Sequence, residues 1–120
     1  MPKETFFNLP DDKRERLLQI AINEFADNDY QNASISRIVK EMGIAKGSFY
    51  QYFEDKKDLF MYLIDLSLQE KQQLLGKIDI PAEANMFEML RFVFQMQVKF
   101  DFEHPRLSEV GYRAIYREVP

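Results

Sequence analysis

The segment from residue 34 to residue 60 constrains the fold most, because it holds two short helical patterns separated by a single glycine. Ser34 is a favourable N-cap for the first helix, and Gly43 follows that helix where a left-handed backbone suits glycine. Between these two residues the apolar side chains recur at helical spacing: Ile35, Ile38, Val39 and Met42. Residues 46–53 are predicted to form the second helix. Two short helices joined by a tight glycine turn predict a helix-turn-helix.

Helices are also predicted on both sides of this pair. Residues 12–28 should form a helix capped by Asp12, and residues 56–75 should form one that begins at the N-cap Asp55. Residues 83–102 are apolar nearly all round, which predicts a helix with partners on most sides. A sixth helix should begin at Pro105. The predicted fold class is all-α, with a three-helix helix-turn-helix domain in residues 1–56 and further helices in residues 57–120.

Composition narrows the classes of function. The 120 residues contain no cysteine, and His104 is the single histidine. Because no cluster of histidine, cysteine and carboxylate side chains is visible, we expect no enzyme, no cofactor and no metal site. No apolar run approaches the roughly 20 residues that span a bilayer, and the N-terminus lacks the pattern of a secretory signal. We therefore expect a cytoplasmic protein with no membrane contact.

The second helix of the pair has residues suited to reading DNA. Phe49 and Phe53 define its inward side, which leaves Gly47 and Gln51 on the outward side. The amide of Gln51 can pair with two atoms of one adenine edge, and Gly47 allows the backbone to lie close to a partner. The expected position of such a helix is the major groove of duplex DNA.

Flanking residues extend this surface. Lys46 suits a phosphate at the helix start, and Ser48 can hydrogen-bond to either class of base. The hydroxyl groups of Tyr50 and Tyr52 can reach phosphate or sugar, but a place in the core or at its rim is an equal alternative for both. Neighbouring segments add further predicted contacts: Ser34, Ser36, Arg37 and Lys56.

Local charge supports this surface although the chain as a whole is acidic. The net charge of the chain is −4 at pH 7. Residues 34–57 nevertheless carry five basic and three acidic side chains, a surplus of two positive charges. Because only one face contacts DNA, the local surplus matters more than the total.

The order and spacing of these residues closely resemble the N-terminal domain of the tetracycline-repressor (TetR) family of bacterial transcriptional regulators. The resemblance covers residues 14–60 and rests on these positions: Phe25, Ala26, Tyr30, Ile38, Val39, Gly43, Ile44, Lys46, Gly47, Ser48, Phe49, Tyr50, Tyr52, Phe53, Lys56, Leu59 and Phe60. It implies DNA contacts at Ser34, Ser36, Lys46, Gly47, Ser48, Tyr50, Gln51, Tyr52 and Lys56. Asp29 replaces a usual glycine, Ala45 replaces a usual N-capping serine, and Arg37 stands where an acidic residue is common.

The resemblance also implies partners. It implies a homodimer that represses a promoter, binds a near-palindromic operator in double-stranded DNA and releases it when a small ligand binds. Residues 57–120 would begin the helical ligand-binding and dimerisation domain. Such regulators usually continue for several more helices, so we interpret the chain as a fragment with an incomplete regulatory domain. The alternative is a shortened form in which a partner chain covers the apolar helix over residues 83–102.

Two alternatives stay open from the sequence. The large apolar side chains of residues 83–102 could line a pocket for a small hydrophobic effector or form ordinary core: Met86, Met89, Phe92, Phe94, Met96 and Phe100. The ligand-binding residues are therefore unknown. The alternative function keeps the fold but acts through a protein partner without specific DNA binding. The acidic net charge favours it, whereas Lys46, Gln51 and Lys56 oppose it.

Overall fold

The computed structural model describes residues 1–116, which form α-helices and no β-strand, so the all-α prediction is confirmed for this part of the chain. The helices have these bounds: α1 Glu4–Phe7, α2 Asp11–Asp27, α3 Ile35–Met42, α4 Lys46–Tyr52, α5 Lys56–Gly76, α6 Met86–Glu103 and α7 Pro105–Tyr116. The sequence did not predict α1, because four residues are too few to show a helical period. The start of α6 lies later than predicted because the Asn85 side chain caps the helix there.

The local signals around the helix-turn-helix are confirmed. The hydroxyl oxygen of Ser34 accepts a hydrogen bond from the Arg37 backbone N–H at 3.2 Å. The carboxylate of Asp55 accepts one from the Asp58 backbone N–H at 2.8 Å. Gly43 ends α3 with φ of 79°, in the left-handed region that favours glycine. These contacts fix both ends of α3 and the start of α5, and α4 lies between the two helices.

The prediction that Asp12 caps α2 is wrong. Pro10 occupies the N-cap position, and no side chain makes a capping hydrogen bond there. The N-cap therefore lies two residues earlier than the acidic pattern indicates, at a proline whose ring fixes φ in a range that suits a helix start. Asp12 lies inside the first turn instead, where its charge faces the positive end of the helix dipole.

The core is apolar and surrounds the first half of α5. Leu59 and Leu63 of α5 are fully buried. Phe49 of α4 and Phe53, the residue that follows α4, are also fully buried. The rings of Phe49 and Phe53 are stacked with centroids 5.5 Å apart. Helix α2 packs against both α3 and α7. The helix-turn-helix is therefore held against α5 on one side and, through α2, against α7 on the other.

Helix α6 buries only one side within the described residues. Met96 and Phe100 are its buried positions. Large apolar side chains of the same helix are exposed: Met86, Phe87, Met89, Leu90, Val93, Phe94, Val98 and Phe102. The sequence predicted partners on most sides of this helix, and residues 1–116 supply them on one side only. Among the same residues, no helix combines the length and apolar character needed to cross a membrane.

Candidate DNA-binding surface

Helix α4 presents the two sides that its sequence predicts. Phe49 has 0 % of its surface exposed and faces the core, whereas Gly47 and Gln51 are exposed. Ser48 lies between these extremes and is half-buried. Because α4 is anchored by its phenylalanine side, its outward residues are held in a fixed direction relative to the rest of the fold.

Gly47 is surrounded by open space. A Cβ atom added at this position would meet no other atom of the described chain within 4 Å. Its backbone is also outside the left-handed region, since Gly43 is the glycine with positive φ. Neither packing nor backbone conformation within residues 1–116 therefore requires glycine at position 47. The missing side chain leaves the α4 backbone at this position open to close approach by another molecule.

Three polar side chains on this surface make no contact that would hold them inside the protein. Ser36, Lys46 and Gln51 are exposed. Within the part of the chain that the structure describes, none of the three side chains makes a hydrogen bond or an ion pair. Their donors and acceptors can meet a ligand without breaking an internal bond, which lowers the cost of binding.

The two tyrosines of α4 differ in exposure. Tyr50 is 41 % exposed, and its ring packs edge-on against Phe49 with centroids 5.3 Å apart. Tyr52 is half-buried and packs against the core. Of the two positions that the sequence left open, Tyr50 therefore lies on the surface and Tyr52 lies at the rim of the core.

Arg37 is held by an ion pair with helix α2. Its Nη2 atom donates to Glu24 Oε2 at 2.7 Å and to the Asn32 carbonyl at 2.6 Å, and its Nε atom donates to Glu24 Oε2 at 3.0 Å. The same carboxylate oxygen accepts the Ser34 backbone N–H at 2.9 Å. The hydrogen bond to Glu24 raises the pKa of Arg37. Arg37 and Glu24 thus tie α2 to the start of α3.

Lys56 is held by the loop between α2 and α3. Its Nζ atom donates to the carbonyls of Tyr30 at 2.7 Å, Gln31 at 3.3 Å and Ala33 at 3.2 Å. The ammonium group also lies over the Tyr30 ring, 4.5 Å from the centroid. Since an ammonium has three N–H donors, these carbonyls account for all of them. The predicted phosphate contact of Lys56 would have to share these bonds.

A segment that the sequence did not single out contacts the end of α4. Lys3 and Thr5 donate hydrogen bonds to carbonyls of residues 50–52 of α4. Phe6, which follows these two residues, is fully buried and packs against Phe53. The one sequence signal for this arrangement is the pair of large apolar residues Phe6 and Phe7 in a mostly polar N-terminus. Phe6 is buried, whereas Phe7 is 44 % exposed.

The segment that carries this surface is similar to known proteins. Residues 17–63 match the family described as bacterial regulatory proteins, tetR family. The HTH-type transcriptional regulator SAR2658 of Staphylococcus aureus (strain MRSA252) is 30 % identical over 98 residues, which are 82 % of this chain and 52 % of that protein. The chain therefore spans about half the length of this curated relative.

Solved structures show the same similarity in three dimensions. The crystal structure of a TetR family transcriptional regulator from Chloroflexus aurantiacus J-10-FL is 48 % identical, with a TM-score of 0.87 over 100 % of this chain and 55 % of that one. A TetR-like transcriptional regulator from Rhodococcus sp. RHA1 has a TM-score of 0.72 at 24 % identity, over 88 % of this chain and 58 % of that one. The second likeness shows the fold alone.

Proposed function

Because the chain belongs to the tetR family of bacterial regulatory proteins, we propose that it is a DNA-binding transcriptional regulator. In this proposal it is a ligand-released repressor that binds a near-palindromic operator as a homodimer. The observation that carries the proposal is the outward side of α4. Gly47 and Gln51 are exposed on a helix whose opposite side is fixed by the buried Phe49. Such a helix can enter the major groove without rearrangement of the core.

The residues of this surface have different proposed roles. Gln51 reads a base edge, Ser48 contacts a base or a neighbouring phosphate, and Lys46 contacts the DNA backbone. The missing side chain at Gly47 allows the α4 backbone to lie close to the groove. Tyr50 reaches phosphate or sugar from the exposed rim.

Neighbouring residues support this contact from two sides. Ser36 is exposed at the start of α3 and can reach the DNA backbone, while Ser34 caps that helix and Tyr52 lies at the rim of the core. Arg37 and Lys56 hold the frame of the helix-turn-helix, because their donors already have partners in α2 and in the following loop. Contact with phosphate is a second role for these two residues.

The dimer and the effector complete the proposal. In a homodimer the two α4 helices would enter successive major grooves about 34–36 Å apart, which matches an inverted repeat. Residues 57–120 would begin the domain that takes a small hydrophobic effector, and effector binding would release the operator. The protein would act in the cytoplasm, where the operator is accessible.

Selection of binding sites from random duplex DNA tests the proposal. The full-length protein is incubated with the duplex library at two salt concentrations, and bound sequences are read out. We expect an enriched inverted repeat whose recovery falls at the higher salt concentration, because counterions are released from the DNA on binding. A folded protein that enriches no sequence at either salt concentration would overturn the proposal and favour a protein partner for this surface.

A further inference from the structure

Helix α4 lacks the local features that usually stabilise a short helix. It has seven residues, its N-cap Ala45 makes no side-chain hydrogen bond, and its last turn contains no basic residue. The final carbonyls of any helix have no partner inside that helix. A helix this short is marginal by itself and depends on contacts from elsewhere in the fold.

The N-terminal segment supplies those contacts at the C-terminal end of α4. The backbone N–H of Lys3 donates to the Tyr52 carbonyl at 2.8 Å, and its Nζ atom donates to the Tyr50 carbonyl at 2.7 Å. The hydroxyl of Thr5 donates to the Gln51 carbonyl. Three successive carbonyls of the last turn are thus satisfied. The positive charge of Lys3 also lies at the negative end of the helix dipole, where a cation is favourable.

Phe6 anchors this segment to the core. Its side chain has 0 % of its surface exposed. The ring lies 4.9 Å from the ring of Phe53 and 5.5 Å from that of Tyr62, measured between centroids. Because Phe53 directly follows α4 and Tyr62 belongs to α5, the segment cannot leave α4 without exposing a large aromatic ring to water.

We propose that residues 3–6, named here the N-terminal clamp, position α4 for sequence-specific DNA binding. The clamp acts through the α4 backbone and touches no base itself. Gln51 connects the clamp to the DNA most directly, because its carbonyl accepts the hydrogen bond from Thr5 and its side chain would contact the base. Loss of the clamp would let the end of α4 move and would weaken recognition of the operator more than general attraction to DNA. The inference rests on the proposed function.

Amide hydrogen exchange tests the clamp without any DNA. We expect α4 amides to exchange about fivefold faster in Thr5→Val, which keeps the side-chain shape but removes the hydroxyl, because one hydrogen bond is lost. Thr5→Ser keeps the hydroxyl and should exchange like the wild type. Helix α3, which has its own cap at Ser34, should be unaffected in both variants. Equal acceleration of α3 and α4, or none in α4, would overturn the inference.

Binding measurements then test the effect on recognition. The ratio of affinities for the selected duplex and for a scrambled duplex should fall about fivefold in Thr5→Val and recover in Thr5→Ser. Lys3→Ala, an exposed position that does not threaten folding, should also lower the ratio, while Lys13→Ala on the exposed side of α2 should leave it unchanged. An unchanged ratio in Thr5→Val and Lys3→Ala would overturn the positioning role.

The two readouts separate this inference from the proposed function. If the wild-type protein selects no duplex, the proposed function fails, and hydrogen exchange still decides whether residues 3–6 hold α4. If the wild type selects a duplex and α4 exchange is unchanged in Thr5→Val, the clamp fails and the proposed function stands.

Discussion

Gly43 and Gly47 lie on the two sides of the turn in the helix-turn-helix, yet backbone conformation requires glycine only at the first of them. Gly43 has φ of 79°, which costs other residues about 1–2 kcal/mol because Cβ meets the following carbonyl. Gly47 has no positive φ, and a Cβ atom there would meet nothing within 4 Å. Within the described chain, backbone conformation therefore requires glycine at position 43, whereas neither conformation nor packing requires it at position 47.

Gly47→Ala should separate stability from binding. We expect the free energy of unfolding to stay the same or to rise by about 0.4–1 kcal/mol, because alanine reduces the entropy of the unfolded chain. DNA affinity should fall, because the added methyl group faces the groove. Chemical denaturation and DNA titration measure the two effects. Gly43→Ala is the matched control and should lose stability instead; normal DNA affinity in Gly47→Ala would contradict the close approach.

Gln51→Ala should relax recognition at one position of each half-site. Specific binding should weaken by about 1–3 kcal/mol, because one bidentate contact to a base edge is lost. The measurement is an affinity series over duplexes changed at each operator position. Gln72→Ala, at an exposed site on α5, is the control. Equal weakening on every sequence would remove the base-reading role of Gln51.

Lys56→Ala tests whether this ammonium holds a loop, a phosphate or both. We expect a loss of about 1–3 kcal/mol in the free energy of unfolding, because carbonyls of the loop between α2 and α3 lose a charged donor. Thermal or chemical unfolding measures this loss, and Lys57→Ala is the exposed neighbour for comparison. A salt slope of DNA binding reduced by about one would add the phosphate contact that the sequence predicted. Unfolding like that of Lys57→Ala would contradict the loop role.

At the scale of elements, the helices differ in where their stabilising contacts come from. Helices α3, α5 and α6 begin with side-chain caps at Ser34, Asp55 and Asn85. Helix α4 has none, although its N-cap Ala45 has the extended backbone of a capping position, with φ of −74° and ψ of 150°. The helix that carries the proposed base contacts therefore depends on tertiary contacts, and not on a side-chain cap, for its position.

Ala45→Ser should give α4 the missing cap. The backbone N–H of Ser48 donates to the Ala45 carbonyl at 3.0 Å, and the serine hydroxyl can share this donor as a second acceptor. We expect the free energy of unfolding to rise by about 0.5 kcal/mol, the low end of the effect of an N-cap. Ser34→Ala is the opposite control, since it removes an existing cap and should lose a similar amount. Chemical denaturation of both variants is the measurement. An unchanged Ala45→Ser would show that the start of α4 is already satisfied in another way.

At the scale of the whole molecule, α7 is bound to α2 by two arginines. Arg106 Nη2 donates to Asp27 Oδ1 at 2.6 Å, and its Nε atom donates to Asn23 Oδ1 at 3.2 Å. Arg113 Nε donates to the Ala26 carbonyl at 3.1 Å, near the C-terminal end of α2. These bonds join the last described helix to α2, which packs against the first helix of the helix-turn-helix. A displacement of α7 would therefore act directly on α2.

Arg106→Ala should weaken this connection. We expect a modest loss of about 1 kcal/mol in the free energy of unfolding, because the ion pair with Asp27 is partly exposed and screened by water. The loss should shrink in about 1 M salt, where exposed charges interact only over about 3 Å. Thermal unfolding at low and high salt measures both effects, with Arg91→Ala on the exposed side of α6 as the control. Identical behaviour of the two variants would show that the bridge contributes nothing.

Much of the fold could be predicted from the sequence because the signals were local. The N-caps Ser34 and Asp55 act on residues three positions away, and Gly43 acts on its own helix. The inward side of α4 followed from the spacing of Phe49 and Phe53. The prediction that Asp12 caps α2 was wrong because it considered only the residues that follow Asp12. The start of α2 is set instead by Pro10, which follows the short helix α1.

The partners of the basic residues could not be predicted in the same way. Arg37 could equally have pointed to DNA or to a carboxylate, and the fold decides by bringing Glu24 within reach from 13 residues away. Lys56 meets carbonyls that lie 23 to 26 residues before it. Composition shows how many charges a segment carries, whereas the packing of α2 against α3 determines which acceptors lie beside each charge.

By itself, the sequence determined the helix succession, the turn at Gly43 and the outward side of α4, because helical period, caps and turn conformation depend on residues within about one helical turn. Only the tertiary structure decided that Lys3 and Thr5 hold the end of α4. Their acceptors are 47 and 46 residues away along the chain, and no local pattern encodes a contact at that separation. Burial of Phe6 between α4 and α5 brings the two segments together.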